Sequence, residues 1–97
     1  MDDFEAIYAF VRTIPAGFVL SYGEVGDRVG SRPRTVGSAM AHCAEEDKVP
    51  WHRVVGSDGT LRVARYSPVL AAEQRRRLEL EGVVFDTKGR VPHPFFW

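Results

Sequence analysis

Two short helical segments around a tight turn constrain this chain more than any other feature. Ser21 followed by Glu24 has the pattern of a capping box, Val25 and Val29 supply a buried face, and Gly30 fits a helix stop. Ser31-Arg32-Pro33 then leads into a second segment, residues 34–44, with Val36, Ala39, Met40 and Cys43 on one apolar face. Two such helices joined by a brief turn are the outline of a helix-turn-helix.

The flanking segments extend that outline. Phe4, Ile7, Tyr8 and Val11 predict an amphipathic helix over residues 3–14, ended by Pro15 and Gly17, and Phe18-Val19-Leu20 reads as a short extended piece. Beyond the acidic loop Glu45-Glu46-Asp47, the runs His52-Arg53-Val54-Val55 and Thr60-Leu61-Arg62-Val63 flank Gly56-Ser57-Asp58-Gly59, which predicts a β-hairpin. A hairpin after a helix-turn-helix is the order of a winged helix. Ser67-Pro68 opens a last helix running to about Glu81, with Leu70, Gln74, Arg77 and Leu78 on related faces and Gly82 as its stop. The tail Val91-Pro92-His93-Pro94-Phe95-Phe96-Trp97 is too apolar for solvent and is expected to fold back. With 97 residues the expectation is one domain over 1–97, mainly α with a small β-hairpin and winged helix-turn-helix-like.

Thirteen basic and thirteen acidic residues give zero net charge, so the argument for nucleic acid rests on distribution. Arg28, Arg32 and Arg34 stand in a stretch free of other charge from Arg28 onward, and Arg53, Arg62 and Arg65 in another with only Asp58 inside it. Arginine provides eleven of the thirteen cations, which favours planar contacts to phosphates and bases. A single cysteine, Cys43, allows neither an internal disulfide nor a cysteine-based metal cluster, so a cytoplasmic protein without metal or cofactor is expected. No apolar run approaches a membrane span, and the acidic start is unlike a signal peptide.

Pro50-Trp51-His52-Arg53-Val54 reads as a nucleophile motif with the nucleophile removed. A thiol between Pro and His would be activated by the imidazole, directly or through water, but its place here holds an indole. Taken alone, the pair reads better as an ordinary core aromatic, Trp51, and a satisfied partial-core histidine, His52. On the helix over residues 34–44, the outward face presents Arg34, Thr35, Ser38, Ala41 and His42, mostly small side chains behind one arginine. Gly37 in mid-helix costs about 1 kcal/mol relative to Ala, which implies a close approach of DNA or of another helix.

Together these motifs resemble the O6-alkylguanine-DNA alkyltransferases, and more closely their non-transferring alkyltransferase-like relatives. The pentapeptide resembles the transferases' Pro-Cys-His-Arg-Val, Ser21-Tyr22-Gly23-Glu24 their Ser-Tyr-Gly-Glu segment, and Pro33-Arg34-Thr35-Val36-Gly37-Ser38-Ala39-Met40 their arginine-finger helix. The likeness runs from Phe4 to the Pro94-Phe95-Phe96-Trp97 tail. It implies a DNA-binding surface of Tyr22, Arg34, Thr35, Gly37 and Ser38. Arg34 would fill the gap left by an extruded nucleotide, its flat cation suited to stacking and in-plane hydrogen bonds, and Tyr22 would contact the adjacent phosphate. It implies a lesion pocket of Trp51, His52, Val54, Ala64 and Arg65, with Trp51 as aromatic floor, and a supporting motif of Pro50, Arg53 and Glu81. His52 and Glu81 resemble the base and its orienting carboxylate, here with nothing to activate. Arg53 resembles the arginine that pins the loop.

Two departures from the family carry consequences. Cys43 stands where transferases have an asparagine. Ala64-Arg65 falls where they keep a tyrosine and a serine, which implies a wider pocket with Arg62 or Arg65 supplying a cation near the base. The implied function is a sensor with no catalytic residues, which binds duplex DNA containing O6-alkylguanine, flips the lesion and hands the site to nucleotide-excision-repair proteins. A monomer, nucleoid-associated when on DNA, is expected. The competing readings are an enzyme using Cys43 or His52 and a sequence-specific winged-helix regulator. Cys43 has no adjacent base, and the third helix is poor in the Asn, Gln and Arg that read a major groove.

Overall fold

In the computed structural model residues 4–97 are described, so the helix start expected at Asp3 lies outside the described residues. The first helix, α1 (Glu5–Val11), ends before the expected Ile14. Ile14 precedes Pro15, which disfavours helical backbone there. Thr13 tightens the exit by donating from both its amide and its hydroxyl to the Phe10 carbonyl, at 2.9 and 2.6 Å.

The helix-turn-helix forms from the local signals. Ser21 caps α2 (Tyr22–Val29): its Oγ accepts from the Glu24 amide at 3.0 Å, while Glu24 Oε1 accepts from the Ser21 amide at 2.9 Å. Gly30 closes α2 in the left-handed conformation at φ 74°, and α3 (Pro33–His42) begins with proline at its first position. This third segment stops at His42 instead of Ala44, because Cys43 is already extended. Gly26 sets the closeness of the turn. A Cβ there would stand 2.3 Å from the Ser31 carbonyl oxygen, and the Ser31 amide donates to the Gly26 carbonyl at 2.8 Å. Ile7, Val11, Ile14, Leu20, Val25 and Val36 pack among α1, α2 and α3, and the buried Tyr8 hydroxyl donates to the Ala39 carbonyl at 2.9 Å.

The expected hairpin is absent. Strand β1 (Leu20–Ser21) pairs in parallel with β2 (Val54–Val55), in the register Leu20 to Val54 and Ser21 to Val55. Trp51–Arg53 and Arg62–Arg65 are single-turn 3₁₀ helices, and between the expected strands only a turn closed by the Gly56 amide on the Thr60 carbonyl at 2.8 Å remains. Val54 and Val55 are both 0 % exposed, which suits a strand covered on two faces and not a solvated wing. Gly59, at φ 85°, exchanges backbone hydrogen bonds with the Gly56 and Val91 segments in place of a second strand. The chain is mainly α as expected, with a parallel ladder where the wing was read.

The tail folds back as its composition implies: the Val19 amide donates to Phe95 and the Trp97 amide to Val19, each at 2.9 Å. This lays Val91 and the half-buried Phe95 and Phe96 against Val19, Val55, Leu78 and Val83, a second apolar cluster. The last helix, α4 (Pro68–Leu80), is capped by the Ser67 hydroxyl on the Leu70 amide at 3.1 Å, and Gly82 turns the chain at φ 96°. Buried Gln74 donates from Nε2 to the carbonyls of His52 and Val54, at 3.2 and 3.0 Å, locking α4 to the Trp51–Arg53 turn.

Just past α4, Glu81 ties its own segment to two others, the loop at Ile14–Gly17 and the Trp51–Arg53 turn. Its carboxylate accepts from the Gly17 amide at 3.0 Å, from His52 Nε2 at 2.8 Å and from Arg53 Nη2 at 2.6 Å; Arg53 Nη1 in turn donates to the Ile14 carbonyl at 2.8 Å. Burial alone would raise the Glu81 pKa, but the bonds from Arg53, His52 and Gly17 outweigh it and hold the carboxyl at about 2. Burial lowers the His52 pKa, only partly opposed by Glu81, so the ring is neutral at pH 7 with Nε2–H donating.

Two predictions follow from this packing. Gly26→Ala drives a methyl group into backbone and should lower stability by about 1–3 kcal/mol in denaturant unfolding, whereas Gly37→Ala, whose Cβ meets nothing within 4 Å, should raise stability by about 1 kcal/mol. Both the Glu81 and the His52 pKa are depressed, so the folded state binds fewer protons than the unfolded chain and stability is lost as the pH is lowered. The His52 share is lost below pH 6.5. The Glu81 share, on the order of 3 kcal/mol, is lost between about pH 5 and 2. Glu81→Gln should destabilise the protein at pH 7 by on the order of 3 kcal/mol and flatten the acid limb of a stability-versus-pH curve. An unchanged acid limb would remove Glu81 from this role.

Candidate nucleic-acid interface

A cleft of about 900 Å³ opens beside the helix-turn-helix, between the C-terminal end of α3, the loop before Pro50, the turn at Val63 and Tyr66, and α4. Trp51 stands in its wall because the 3₁₀ turn after Pro50 directs it there, while the next residue, His52, points the opposite way to Glu81. The two rings meet edge to face at 89°, with centroids 6.4 Å apart. On α4, the Arg77 guanidinium lies 5.5 Å from the Trp51 ring centroid and is steadied by Glu73, whose Oε2 accepts from Arg77 Nε at 2.7 Å. Arg76 adds a second bond to Glu73 at 2.9 Å, and the two arginines hold that exposed carboxyl at about 2.

The implied pocket residues separate in space. Trp51 and Pro50 line the cleft and Arg53 reaches its wall. His52 is buried behind it, with Nδ1 lacking any hydrogen-bond partner. Val54 is a core residue, covered because β2 lies between two apolar clusters, and does not face the cleft. Ala64 and Arg65 are exposed outside the cleft, Ala64 on a separate groove of about 380 Å³ with Leu61, Arg75 and Lys88. The ring at the cleft mouth is instead Tyr66, 72 % exposed and followed by Ser67. A tyrosine-serine pair thus lies two residues beyond the Ala64-Arg65 position where the resemblance located it. A tyrosine and serine immediately before a helix start were the signal for it.

Tyr22, in the first turn of α2, also lines the cleft. Its hydroxyl pKa is raised by burial and by Tyr66, with Arg62 opposing, so Arg62 and not Arg65 is the arginine felt at this edge. Arg34 projects from the first turn of α3 into solvent without an ion-pair or hydrogen-bond partner among the described residues. Thr35, Gly37 and Ser38 are half-buried on the same helix, and no protein atom occupies the space over Gly37. That excludes the helix-packing explanation for this glycine. Cys43 is half-buried at the cleft wall, less enclosed than the inward helix face implied, because it lies just past the end of α3. Its thiol donates to the Met40 carbonyl at 3.2 Å, and burial, then Asp47, pushes its pKa up. Such a thiol is less readily ionised than a free cysteine.

Beside Tyr66, the sequence pattern left Arg12, Lys48 and Arg77 unassigned, all of which line the cleft. Only Arg77 had a local signal, its spacing of four from Glu73. Among the described residues no group of three His, Cys, Asp or Glu could hold a metal ion, and no helix is long and apolar enough to cross a membrane.

Comparison with known proteins agrees with this geometry. Residues 2–83 match the family described as 6-O-methylguanine DNA methyltransferase, DNA binding domain. Alkyltransferase-like protein 1 of Schizosaccharomyces pombe is 48 % identical over 88 residues, covering 86 % of this chain and 79 % of that one. The DNA base-flipping protein of Escherichia coli is 35 % identical over 89 residues, covering 90 % of this chain and 67 % of that one. The S. pombe Atl1 crystal structure in complex with damaged DNA containing O6-carboxymethylguanine aligns with a TM-score of 0.83 and 37 % identity, over 100 % of this chain and 98 % of that one. The chain therefore belongs to the family of the 6-O-methylguanine DNA methyltransferase DNA-binding domain, with alkyltransferase-like and base-flipping proteins as its relatives.

Proposed function

We propose that this chain is a non-enzymatic DNA damage sensor that binds O6-alkylguanine in duplex DNA, rotates the nucleotide into the Trp51 cleft and flags it for nucleotide excision repair. The observation that carries this reading is Trp51 itself: an indole stands in the cleft wall after Pro50, with the neighbouring histidine turned away to Glu81. Indole is no acceptor for an alkyl group. The chain's one thiol, Cys43, is bonded to a carbonyl and has a raised pKa.

On this reading α3 lies against the duplex. The open space over Gly37 admits the sugar-phosphate backbone, and unpaired Arg34 enters the stack from the minor-groove side. Tyr22, at the boundary between α3's face and the cleft, contacts the phosphate beside the rotated nucleotide. Extruding a base costs a few kcal/mol, least at a weakened pair, and stacking on an aromatic ring returns about 1–3 kcal/mol. Trp51 supplies that ring, steadied from α4 by Arg77. A cleft of about 900 Å³ has room for a purine with a substituent larger than methyl. The protein acts as a monomer in the cytoplasm, on the nucleoid when bound, and passes the flipped site to excision-repair proteins.

Binding to duplexes with a single O6-alkylguanine should exceed binding to the unmodified twin at equal salt; equal affinities would sink the sensor reading. Arg34→Ala should weaken lesion binding by about 1–3 kcal/mol, while Arg90→Ala, paired to Asp86 on another part of the surface, should change it little. Gly37→Ala should weaken binding although it stabilises the fold. After incubation with O6-methylguanine DNA, mass spectrometry should find the protein mass unchanged and the base still alkylated. Stoichiometric transfer to the protein would refute the proposal.

A further inference from the structure

We propose that Arg62, laid across Gly56 beside Tyr22, forms with the tyrosine hydroxyl a binding site for one backbone phosphate, the one flanking the rotated nucleotide. The proposal rests on the lesion-binding reading, in which Tyr22 already meets that phosphate, and adds the arginine that makes the contact ionic.

The ladder between β1 and β2 sets the geometry. Its register pairs Ser21 with Val55, so the next residues, Tyr22 and Gly56, leave it side by side. Gly56 is buried, yet it is not among the glycines of positive φ, so space and not backbone conformation is what the missing side chain provides. A Cβ there would stand 2.6 Å from Thr60 Oγ1 and 2.8 Å from Arg62 Nε. Arg62, in the 3₁₀ turn that follows, therefore lies over the bare backbone of Gly56, next to the first turn of α2.

None of its donors is occupied there. Arg62 makes no hydrogen bond or ion pair among the described residues. Asp58 shares the turn, with Oδ1 3.1 Å from the same Cβ position, but that oxygen accepts from the Thr60 amide and hydroxyl at 3.2 and 2.7 Å. Tyr22 is half-buried at the cleft wall, and its hydroxyl is equally free among the described residues. Burial, then Tyr66, raises the hydroxyl pKa and Arg62 is close enough to oppose them, so the phenol stays protonated and can donate. A phenol O–H and a guanidinium, side by side and both without acceptors, suit the two free oxygens of a phosphodiester. Two kinds of phosphate could fill the site, the one flanking the rotated nucleotide or another along the duplex. The place of Tyr22 on the wall of the Trp51 cleft favours the first.

The test is a cycle between protein and DNA. Fluorescence anisotropy measures binding of the full chain to O6-methylguanine duplexes carrying a neutral methylphosphonate at the linkage on one side of the lesion, on the other side, at a distant linkage, or nowhere, and to the guanine twin. On the natural backbone Arg62→Gln should weaken binding about tenfold, the scale of one charge-assisted hydrogen bond. The same loss should appear with the distant methylphosphonate and vanish with the methylphosphonate on one flanking linkage. Gly56→Ala, which keeps the charge but displaces the guanidinium, should reproduce that pattern, and unchanged thermal unfolding shows that each variant is folded. A loss that persists with either flanking linkage neutral overturns the site, because Arg62 then answers to the duplex charge at large. Native affinity in folded Arg62→Gln, or in folded Gly56→Ala, overturns it as well. If the unaltered chain binds the O6-methylguanine duplex no better than its guanine twin, the lesion reading itself fails and the site falls with it.

Discussion

A single carboxylate holds the working surface of this protein in place. Glu81 lies only part-buried, at the exit of α4, yet it joins Gly17 after α1, His52 and Arg53 in the 3₁₀ turn and, through Arg53, the Ile14 carbonyl. A charge removed from water is tolerable only when its lone pairs are filled by donors with charge or fixed geometry, and here a guanidinium, an imidazole and a backbone amide fill them. With His52 and Arg53 both bonded to Glu81, the turn presents Trp51 at the cleft wall, packed partly against the core. The orientation of the indole into the cleft is a consequence of where its two neighbours are bound.

The rest of the scaffold supports that turn with little regular structure. The ladder between β1 and β2 has only two residue pairs, and it connects the start of α2 to the end of the Trp51–Arg53 turn. Gln74 adds a side-chain strand of its own by occupying the His52 and Val54 carbonyls from α4. A buried amide at this point is satisfied only in one register of helix and turn, so it specifies geometry as well as contributing stability. The helix-turn-helix and the cleft are thereby directly connected: α2 starts at the ladder, and Tyr22, its first residue, borders the cleft.

The parts of this architecture legible in the sequence are those set by local chemistry. Ser21 with Glu24, Gly30, Ser67-Pro68 and Gly82 each act within a turn of themselves, and each marks the helix end that they implied. The hairpin was misread because two apolar runs around Gly56-Ser57-Asp58-Gly59 look alike whether they pair with each other or with distant chain. What decided it was long-range: Val91 occupies the backbone of Gly59, and Leu20 and Ser21 take β2. Adjacent valines at 54 and 55, both apolar where a solvated wing would alternate, were the local hint. Trp51 was legible as a cleft residue, but Arg77 over its ring depends on packing between segments remote in sequence. Val54 was assigned to the pocket through the family resemblance, which a strand covered on both faces does not respect.

On the proposed function the arrangement has a thermodynamic logic distinct from that of a transferase. An enzyme gains rate only from interactions stronger in the transition state than in the bound ground state, so holding the flipped base tightly adds nothing to the transfer step. A sensor has the opposite requirement, because its signal is the lifetime of the complex. Trp51 stacking, the Arg77 support and an unpaired Arg34 all favour the extruded ground state. With an indole where a thiol would stand, the cleft offers an aromatic surface for stacking. His52 and Glu81 are then fully accounted for by structure: the imidazole stays neutral, donates to the carboxylate, and keeps the turn that presents the indole.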